Sequence, residues 1–324
     1  MTGEVTILIP AYAAEAFIDQ TLHFARGQTF REIEISVSVD RFDDTTFERV
    51  QQHARSDKRV RAYRQPERLG WAGNVNFLLD QVRTPYCFIY FHDDILLPNY
   101  VERLLPTLKR DASAALVHCD VRYIGAATSV LRARENARPL RERLLQFMLA
   151  PDRGAPLRGI IRRDVMGDVR LPDDAPQALY ANEIFLLEAA VRGPLLAERE
   201  ILYINWANRP DGLVARWNQV SAEGARAGVR SILDRAAGIL GRAAVSEAER
   251  DQLRFASFLW LKRFIDDAET RAGARLYQRP SDLHPSFDAA AWPVDLTAWP
   301  SDISGWAAAR WETASRDLAA RLRT

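Results

Sequence analysis

The sequence predicts an α/β protein: a mostly parallel sheet flanked by helices, followed by a helical extension. Three features carry that expectation. Apolar stretches of strand length alternate with amphipathic helical patterns through roughly the first 120 residues. The run from Tyr86 to Phe91 is apolar or aromatic throughout, as a strand buried on both faces must be, and it stops abruptly at His92, Asp93 and Asp94. Beyond about Gly212 strand-like patterns give way to stretches rich in alanine, arginine and leucine with helical periodicity.

Taken in order, Val5 to Ile9 is a short β-branched run that reads as the first strand. Phe17, Ile18, Leu22 and Ala25 then recur at helical spacing. Ile33, Ile35, Val37 and Val39 alternate with polar residues as a second strand, leading directly into Asp40. Phe47, Val50 and Ala54 mark the next helix face. Arg59 to Tyr63 is a third strand, and Val75, Leu78, Leu79 and Val82 a third helix face. After the strand at Tyr86 come a helix with Val101, Leu104, Leu105 and Leu108 on one side and a strand at Ala114 to His118. Strands separated by helices of this length imply a doubly wound arrangement.

Composition narrows the classes of function. With 324 residues the chain can bury a large core, and a formal charge of +1, 44 basic against 43 acidic residues, argues against an electrostatically dominated nucleic-acid binder. Two cysteines, Cys87 and Cys119, in strand-like contexts offer no disulfide framework and fit a reducing cytosol. The start, MTGEVTILIPAY, has neither the basic flank nor the long apolar run of a signal peptide or anchor. No segment reaches the roughly 18 consecutive apolar residues of a spanning helix.

In a parallel sheet of this kind ligands bind outside the carboxyl ends of the strands. The loops there carry Tyr12 and Glu15 after the first strand, Asp40, Asp43 and Asp44 after the second, and Asp93 and Asp94 after the fourth. Asp43 and Asp44 precede Thr45, Thr46 and a helix, so capping is their expected work. Asp40 ends an apolar strand directly and could accept hydrogen bonds from a base or ribose. Adjacent ionised aspartates repel each other, and a cation relieves that repulsion. With oxygen ligands alone on offer, Mg²⁺ or Mn²⁺ is the expected ion, bridging carboxylates to phosphates. The bland alternative is that the pair caps the helix beginning near Pro98-Asn99. Other nucleotide-binding and catalytic solutions are missing. There is no phosphate-loop motif, no glycine in the turn PAYAAEAF where a dinucleotide fold needs them, no Gly-x-Ser-x-Gly turn, and no zinc-ligand spacing among the histidines and cysteines.

The succession VTILIPAYAAEAF, a strand ending in Asp40, RLGWAGNVNFLLDQV, and YFHDDILLPNY resembles the family 2 glycosyltransferases over roughly residues 4 to 212. The resemblance rests on the order of the motifs. It implies a Rossmann-like GT-A fold and inverting transfer of a sugar from a nucleotide-diphosphate sugar, most often a UDP-sugar. The acceptor would be a hydroxyl on a glycan, a polysaccharide or a lipid-linked sugar. By the same resemblance Asp94 is the metal ligand and Asp93 a donor-binding partner. Asp40 contacts the base, Pro10, Tyr12 and Glu15 form the nucleoside loop, and Gly70 and Asn74 precede the fourth strand. Three positions depart from the family pattern: Ala13 stands for asparagine, Asp40-Arg41-Phe42-Asp43 for Asp-Asp-Gly-Ser, and Phe91 for the first carboxylate of Asp-x-Asp.

Inverting transfer needs a base for the acceptor hydroxyl. The family places an acidic pair at the start of the helix read here in LYANEIFLLEAAVRG, so Glu183 takes the role by position. The plainer reading is a glutamate favoured by a helix N-terminus, with Asp173 and Asp174 as the fallback base. Arg209 in NWANRPDGL is a candidate to share the charge of the departing diphosphate. The resemblance thus divides the chain into a catalytic domain, residues 1–212, and a mostly helical extension, residues 213–324. In the extension Ser246 and Glu249 form a capping-box pattern, and Trp292, Trp299 and Trp306 lie seven apart. Such tryptophans pack an extension onto its own domain, with acceptor binding, oligomer contact or membrane-surface docking as the alternatives. The expected setting is cytoplasmic, with the inner face of the membrane as an option. Two rival classes stay open: a sugar nucleotidyltransferase, which would want a glycine-rich basic loop after the first strand, and a non-catalytic relative that binds nucleotide-sugar.

Overall fold

A computed structural model describes residues 3–125, 128–150, 155–207, 209, 212–273, 296–297 and 299–321. The first part runs β1 (Val5–Ala11), α1 (Ile18–Arg26), β2 (Ile33–Val39), α2 (Thr46–Ser56), β3 (Val60–Arg64), α3 (Gly70–Gln81) and β4 (Tyr86–Ile89). These strands pair in parallel in the order β3-β2-β1-β4, with Val5 opposite both Ile33 and Tyr86. Alternation along each strand sorts the side chains between the two faces. Ile7, Ile9, Phe88 and Tyr90 enter one core cluster, whereas Leu8, Cys87 and Ile89 enter the other.

After β4 the chain departs from a simple doubly wound order. It continues through β5 (Ile95–Leu96), α4 (Tyr100–Arg110), β6 (Leu116–Gly125), β7 (Ser129–Leu131), α5 (Leu140–Leu149), β8 (Ile160–Arg162), α6 (Arg163–Met166), α7 (Ala181–Arg192) and β9 (Leu195–Ala207). The strand predicted at Ala114–His118 is β6, but it does not lie next to β4. The short β8 is inserted between them, antiparallel to both, giving β4-β8-β6-β9-β5. Arg162 pins the insertion. Its N–H donates to Ala115 O at 2.9 Å, and its guanidinium reaches the carbonyls of Leu108, Asp111 and Ala114 where α4 ends. A strand of three residues has no readable period, which is why sequence reading missed it.

All elements described after Gly212 are helices: α8 (Leu213–Trp217), α9 (Ala222–Gly241), α10 (Glu247–Ala272) and α11 (Ser301–Arg321). Ser246 and Glu249 close the capping box on α10, each side chain bonded to the other's N–H. α10 buries residues around most of its circumference, Leu253, Phe255, Phe258, Trp260 and Phe264 among them, because α5, α9 and α11 cover it from several sides. These helices share one continuous core with α3, α5 and α7, so they brace the face of the sheet opposite α1, α2 and α4. Trp299 is buried against Phe255, and Trp306 stacks under the Arg134 guanidinium. Trp292 and the predicted helical stretch from residue 274 to 277 lie outside the described residues. Among the described residues no helix is long and apolar enough to cross a membrane.

Cys87 and Cys119 are free and buried, and burial pushes both thiols up to about 12, so neither is a ready nucleophile. His118 on β6 is buried with its Nε2 at 3.3 Å from Arg134 O, and burial lowers its pKa from 6.5 to about 4. Between those values the unfolded chain binds a proton that the folded chain refuses, so stability falls as the pH drops through this window. The expected loss is at most about 3 kcal/mol. Denaturant titrations from pH 4 to 7 should show it, and His118→Gln should flatten it.

Candidate active site

The carboxyl ends of β1, β2 and β4 open onto one cleft of about 500 Å³, and Pro10, Tyr12, Asp40, Asn74, Asp93 and Arg209 all line it. Six of the seven side chains expected to meet a donor are therefore brought together. The seventh, Glu15, is exposed away from the lining, 3.9 Å from Arg49 of α2. The turn after β1 directs Tyr12 toward the cleft and Glu15 toward solvent. Ala13, where the family carries asparagine, adopts φ 49° in that turn.

Asp40 is almost wholly enclosed, 2 % exposed, and its carboxylate organises the start of α3. Oδ1 accepts the N–H groups of Arg41 at 3.0 Å and Leu69 at 2.7 Å, and Oδ2 accepts that of Gly70 at 3.0 Å. The Leu69 and Gly70 N–H groups are donors that a helix start leaves unsatisfied, and Gly70, at φ 73°, supplies the turn into the helix. One turn later Asn74 ties the ends of β1 and β2 together, its Nδ2 donating to Ser38 O at 3.0 Å and Ala11 O at 3.4 Å. Its Oδ1 is buried with no hydrogen-bond partner among the described residues. Asp44, by contrast, accepts the N–H and hydroxyl of Thr46 at the first turn of α2, in the capping place expected of it.

The two adjacent aspartates point in different directions. Asp94 is 0 % exposed at its side chain, and both oxygens are occupied. Oδ1 accepts from Asn205 Nδ2 at 2.7 Å and Trp206 N at 3.1 Å. Oδ2 accepts from the Tyr203 hydroxyl at 2.8 Å and faces Arg158 Nε at 3.4 Å. Burial pushes this carboxyl up, while Arg158, Tyr203 and Asn205 pull it back toward the ionised form. Asp93 instead lines the cleft with 23 % of its side chain exposed, and Arg209 Nη1 donates to its Oδ2 at 2.9 Å. The Arg209 guanidinium lies 4.0 Å above the Phe17 ring and 6.0 Å from that of Trp206, so aromatic contacts fix its plane.

A cation in the cleft would meet Asp93, not Asp94, of the pair. Asp94 offers it no approach, because enclosure and four donors take up the carboxylate. Asp93 fits Mg²⁺ or Mn²⁺ in the way such ions are commonly held, by one or two protein carboxylates with phosphate oxygens and water completing the shell. Among the described residues no cluster of three or more His, Cys, Asp or Glu could enclose a metal by itself. The fit thus depends on a phosphate ligand arriving with the ion.

Two further hollows border the cleft. One of about 690 Å³ at the ends of β2 and β3 shares Asp40, Phe42 and Arg68 with it. The other, of about 290 Å³ at the start of α3, shares Arg68, Gly70, Trp71 and Gln177 and adds Asp173. The Tyr12 ring has the Arg68 guanidinium at 4.5 Å and that of Arg216 at 5.0 Å. On the α7 side, Gln177, Ala178 and Tyr180 all have positive φ, of 54°, 47° and 64°. The indole N–H groups of Trp71 and Trp217 both donate to Gln177 O, at 2.8 and 3.1 Å. Backbone strain of this kind persists where its surroundings hold it, and it gathers at functional clefts.

Glu183, in the first turn of α7, is not among the cleft-lining residues. It is 8 % exposed, with Oε1 at 3.2 Å from Asn182 Nδ2 and Oε2 at 3.8 Å from Arg263 of α10. Of the fallback pair, Asp173 borders the smaller hollow, whereas Asp174 is engaged by Ser231 and Arg235 of α9. Sequence reading missed Arg158, Tyr203, Asn205 and Trp206 around Asp94, and Trp71, Gln177 and Arg216 around the cleft. Nothing in the local pattern of ILYINWA pairs residue 203 with residue 94.

Comparison with known proteins agrees with this geometry. Residues 6–166 match the model of the family described as Glycosyl transferase family 2. Chondroitin synthase of Escherichia coli is 32% identical over 121 residues, 37% of this chain and 17% of that protein. The GalNAc(5)-diNAcBac-PP-undecaprenol beta-1,3-glucosyltransferase of Campylobacter jejuni is 27% identical over 116 residues, 36% of each chain. The matched stretch spans about a third of an uncharacterized glycosyltransferase of Haemophilus influenzae, 33% of each chain, at 27% identity. Among solved structures, S. aureus TarS 1-349 in complex with UDP-GlcNAc superposes with a TM-score of 0.63 at 15% identity, covering 87% of this chain and 84% of that one. The mannosyltransferase PcManGT of Pyrobaculum calidifontis, in complex with GDP-Man and Mn²⁺, gives 0.53 at 15% identity, covering 98% and 88%. These likenesses establish a GT-A fold, and with the family match over β1 to α6 they place the chain in glycosyl transferase family 2.

Proposed function

We propose that this protein transfers a sugar, with inversion, from a nucleoside-diphosphate sugar to a hydroxyl on a glycan, polysaccharide or lipid-linked acceptor. The carrying observation is the convergence of Pro10, Tyr12, Asp40, Asn74, Asp93 and Arg209 on one cleft at the carboxyl ends of three parallel strands. A uridine donor is the first choice, since the TarS neighbour holds UDP-GlcNAc, with guanosine as the alternative from the GDP-Man complex. Residues 1–212 form the catalytic part and residues 213–324 a helical support. The acceptor named for the C. jejuni relative is lipid-linked. An acceptor of that chemistry would bring the protein to the cytoplasmic face of a membrane as a peripheral component.

Tyr12 offers a ring face for the base, with Arg68 or Arg216 giving way. Asp40 Oδ2 accepts the Gly70 N–H, and its second lone pair has capacity for a base N–H. The buried Oδ1 of Asn74 accepts a ligand N–H or O–H, which removes the cost of an unpaired polar atom. Arg209 turns from Asp93 to the diphosphate, exchanging one charge-assisted hydrogen bond for another. Asp93 is the residue to hold Mg²⁺ or Mn²⁺, which when bound would neutralise the charge growing on the leaving diphosphate. Glu183 is our assignment for the base. Because it is enclosed, the role requires the strained loop Gln177–Tyr180 to shift when the acceptor enters. Asp173, which lines the smaller hollow beside the cleft, is the rival.

Melting measurements with UDP and GDP, each with and without Mn²⁺, test the reading. A ligand that binds only the folded state raises the melting temperature, by mass action. UDP should raise it, and Mn²⁺ should add to the rise. No rise with any nucleoside diphosphate would sink the proposal.

A further inference from the structure

We infer that Asp94 is a positioning residue: it fixes the exit of β9 so that Arg209 stands opposite Asp93, and it touches neither cation nor donor. The inference rests on the donor reading above. Asp94 immediately precedes β5, whose Ile95 and Leu96 pair with Ile204 and Tyr203 of β9. Two residues make a short ladder, and its end would fray without further ties. The Asp94 carboxylate extends the pairing past the ladder, accepting the Trp206 backbone N–H, the Asn205 amide and the Tyr203 hydroxyl. Its own backbone is held as well, for the Tyr90 hydroxyl donates to Asp94 O at 2.9 Å, and Asp94 N donates to Phe91 O at 3.1 Å.

Arg158 supplies the counter-charge, its guanidinium lying over the rings of Phe91 and Tyr203 at 5.4 and 5.5 Å. The consequence reaches the cleft through Trp206. That indole meets the Phe17 ring edge to face at 6.4 Å, and the Arg209 guanidinium rests on both rings. Adjacent aspartates therefore hold the same strand exit from two sides. Asp94 grips the side-chain amide of Asn205 and the backbone N–H of Trp206, and Asp93 grips the guanidinium at residue 209. Each oxygen of the buried group has its donors, and that saturation denies it to a metal.

Calorimetric titration of UDP into the full chain, with and without Mn²⁺, tests this with Asp94→Asn, Arg209→Ala and the double variant. An asparagine amide at residue 94 confronts donors, so Asp94→Asn should weaken UDP binding on the order of tenfold. The double variant should bind no more weakly than Arg209→Ala alone, since both changes remove one contact. The factor by which Mn²⁺ improves binding should survive in Asp94→Asn. Additive losses, unaltered affinity in Asp94→Asn, or disappearance of the Mn²⁺ factor would each overturn the assignment. If Asp94→Asn does not fold, Asn205→Ala removes one tie and keeps the carboxylate. It should show the same non-additivity with Arg209→Ala, and wild-type affinity there overturns the inference. A wild-type protein that binds neither UDP nor GDP is a different failure, that of the donor reading itself, and the inference falls with it.

Discussion

Asparagine at position 93 is expected to erase the stabilisation that Mn²⁺ adds to the UDP-bound protein and to lower transfer by about three orders of magnitude, the scale on which electrostatic stabilisation of a transition state acts. Asp93 is the member of the acidic pair whose carboxylate reaches the cleft, so no neighbouring oxygen can substitute for it. The same change releases Arg209 from its 2.9 Å ion pair. Metal-free UDP binding should therefore hold or tighten while the metal-assisted part vanishes. That opposite movement separates loss of a ligand from loss of fold, which would weaken both. Titrating UDP at several Mn²⁺ concentrations measures it, and an undiminished Mn²⁺ effect in the variant would remove Asp93 from the metal's ligands.

Glutamine at position 183 is expected to cut the turnover number by about 10² to 10⁴, the range of a lost general base, with UDP affinity unchanged. The side chain keeps its shape, and the Asn182 amide can still find an oxygen, so the start of α7 should survive. Asp173→Asn, measured beside it, should change turnover by only a few fold. The reverse pattern would transfer the role to Asp173, which lines the smaller hollow beside the cleft. Donor turnover in the presence of an accepted sugar is the measurement. Unchanged turnover in both variants would leave neither carboxylate as base.

Period and loop position were enough to bring the donor residues to one cleft on paper. Pro10 lies near the end of β1 and Tyr12 just beyond it, Asp40 follows β2 and Asp93 follows β4, and parallel strands place such positions side by side whatever the details of packing. Asn74 was read only through its resemblance to the family, and its structural work, tying Ala11 O to Ser38 O, depends on how closely α3 approaches β1 and β2. Glu15 lies outside that cleft for a local reason. A turn sends successive side chains to different sides, and the turn with Ala13 at φ 49° turns Glu15 toward α2.

The division of labour between Asp93 and Asp94 is the sharpest case of what the sequence hid. Two neighbouring aspartates after a buried strand are chemically identical on the page, and which one a ligand meets depends on partners more than 60 residues away, Arg158, Tyr203, Asn205 and Arg209. The enclosure of Glu183 has the same origin, since Arg263 comes from α10, a helix whose place over α7 no local pattern reports.

The sequence by itself determined the alternation of strand and helix, the parallel half of the sheet and the loops that would carry chemistry, because backbone periodicity and burial are local properties that repeat along the chain. Only the tertiary structure decided that β8 enters between β4 and β6, that Asp93 rather than Asp94 meets the cleft, and that Glu183 is enclosed beside Arg263. Those outcomes are set by hydrogen bonds and ion pairs between distant segments. Their energies depend on burial and on a few tenths of an ångström, and neither can be read until the chain has packed.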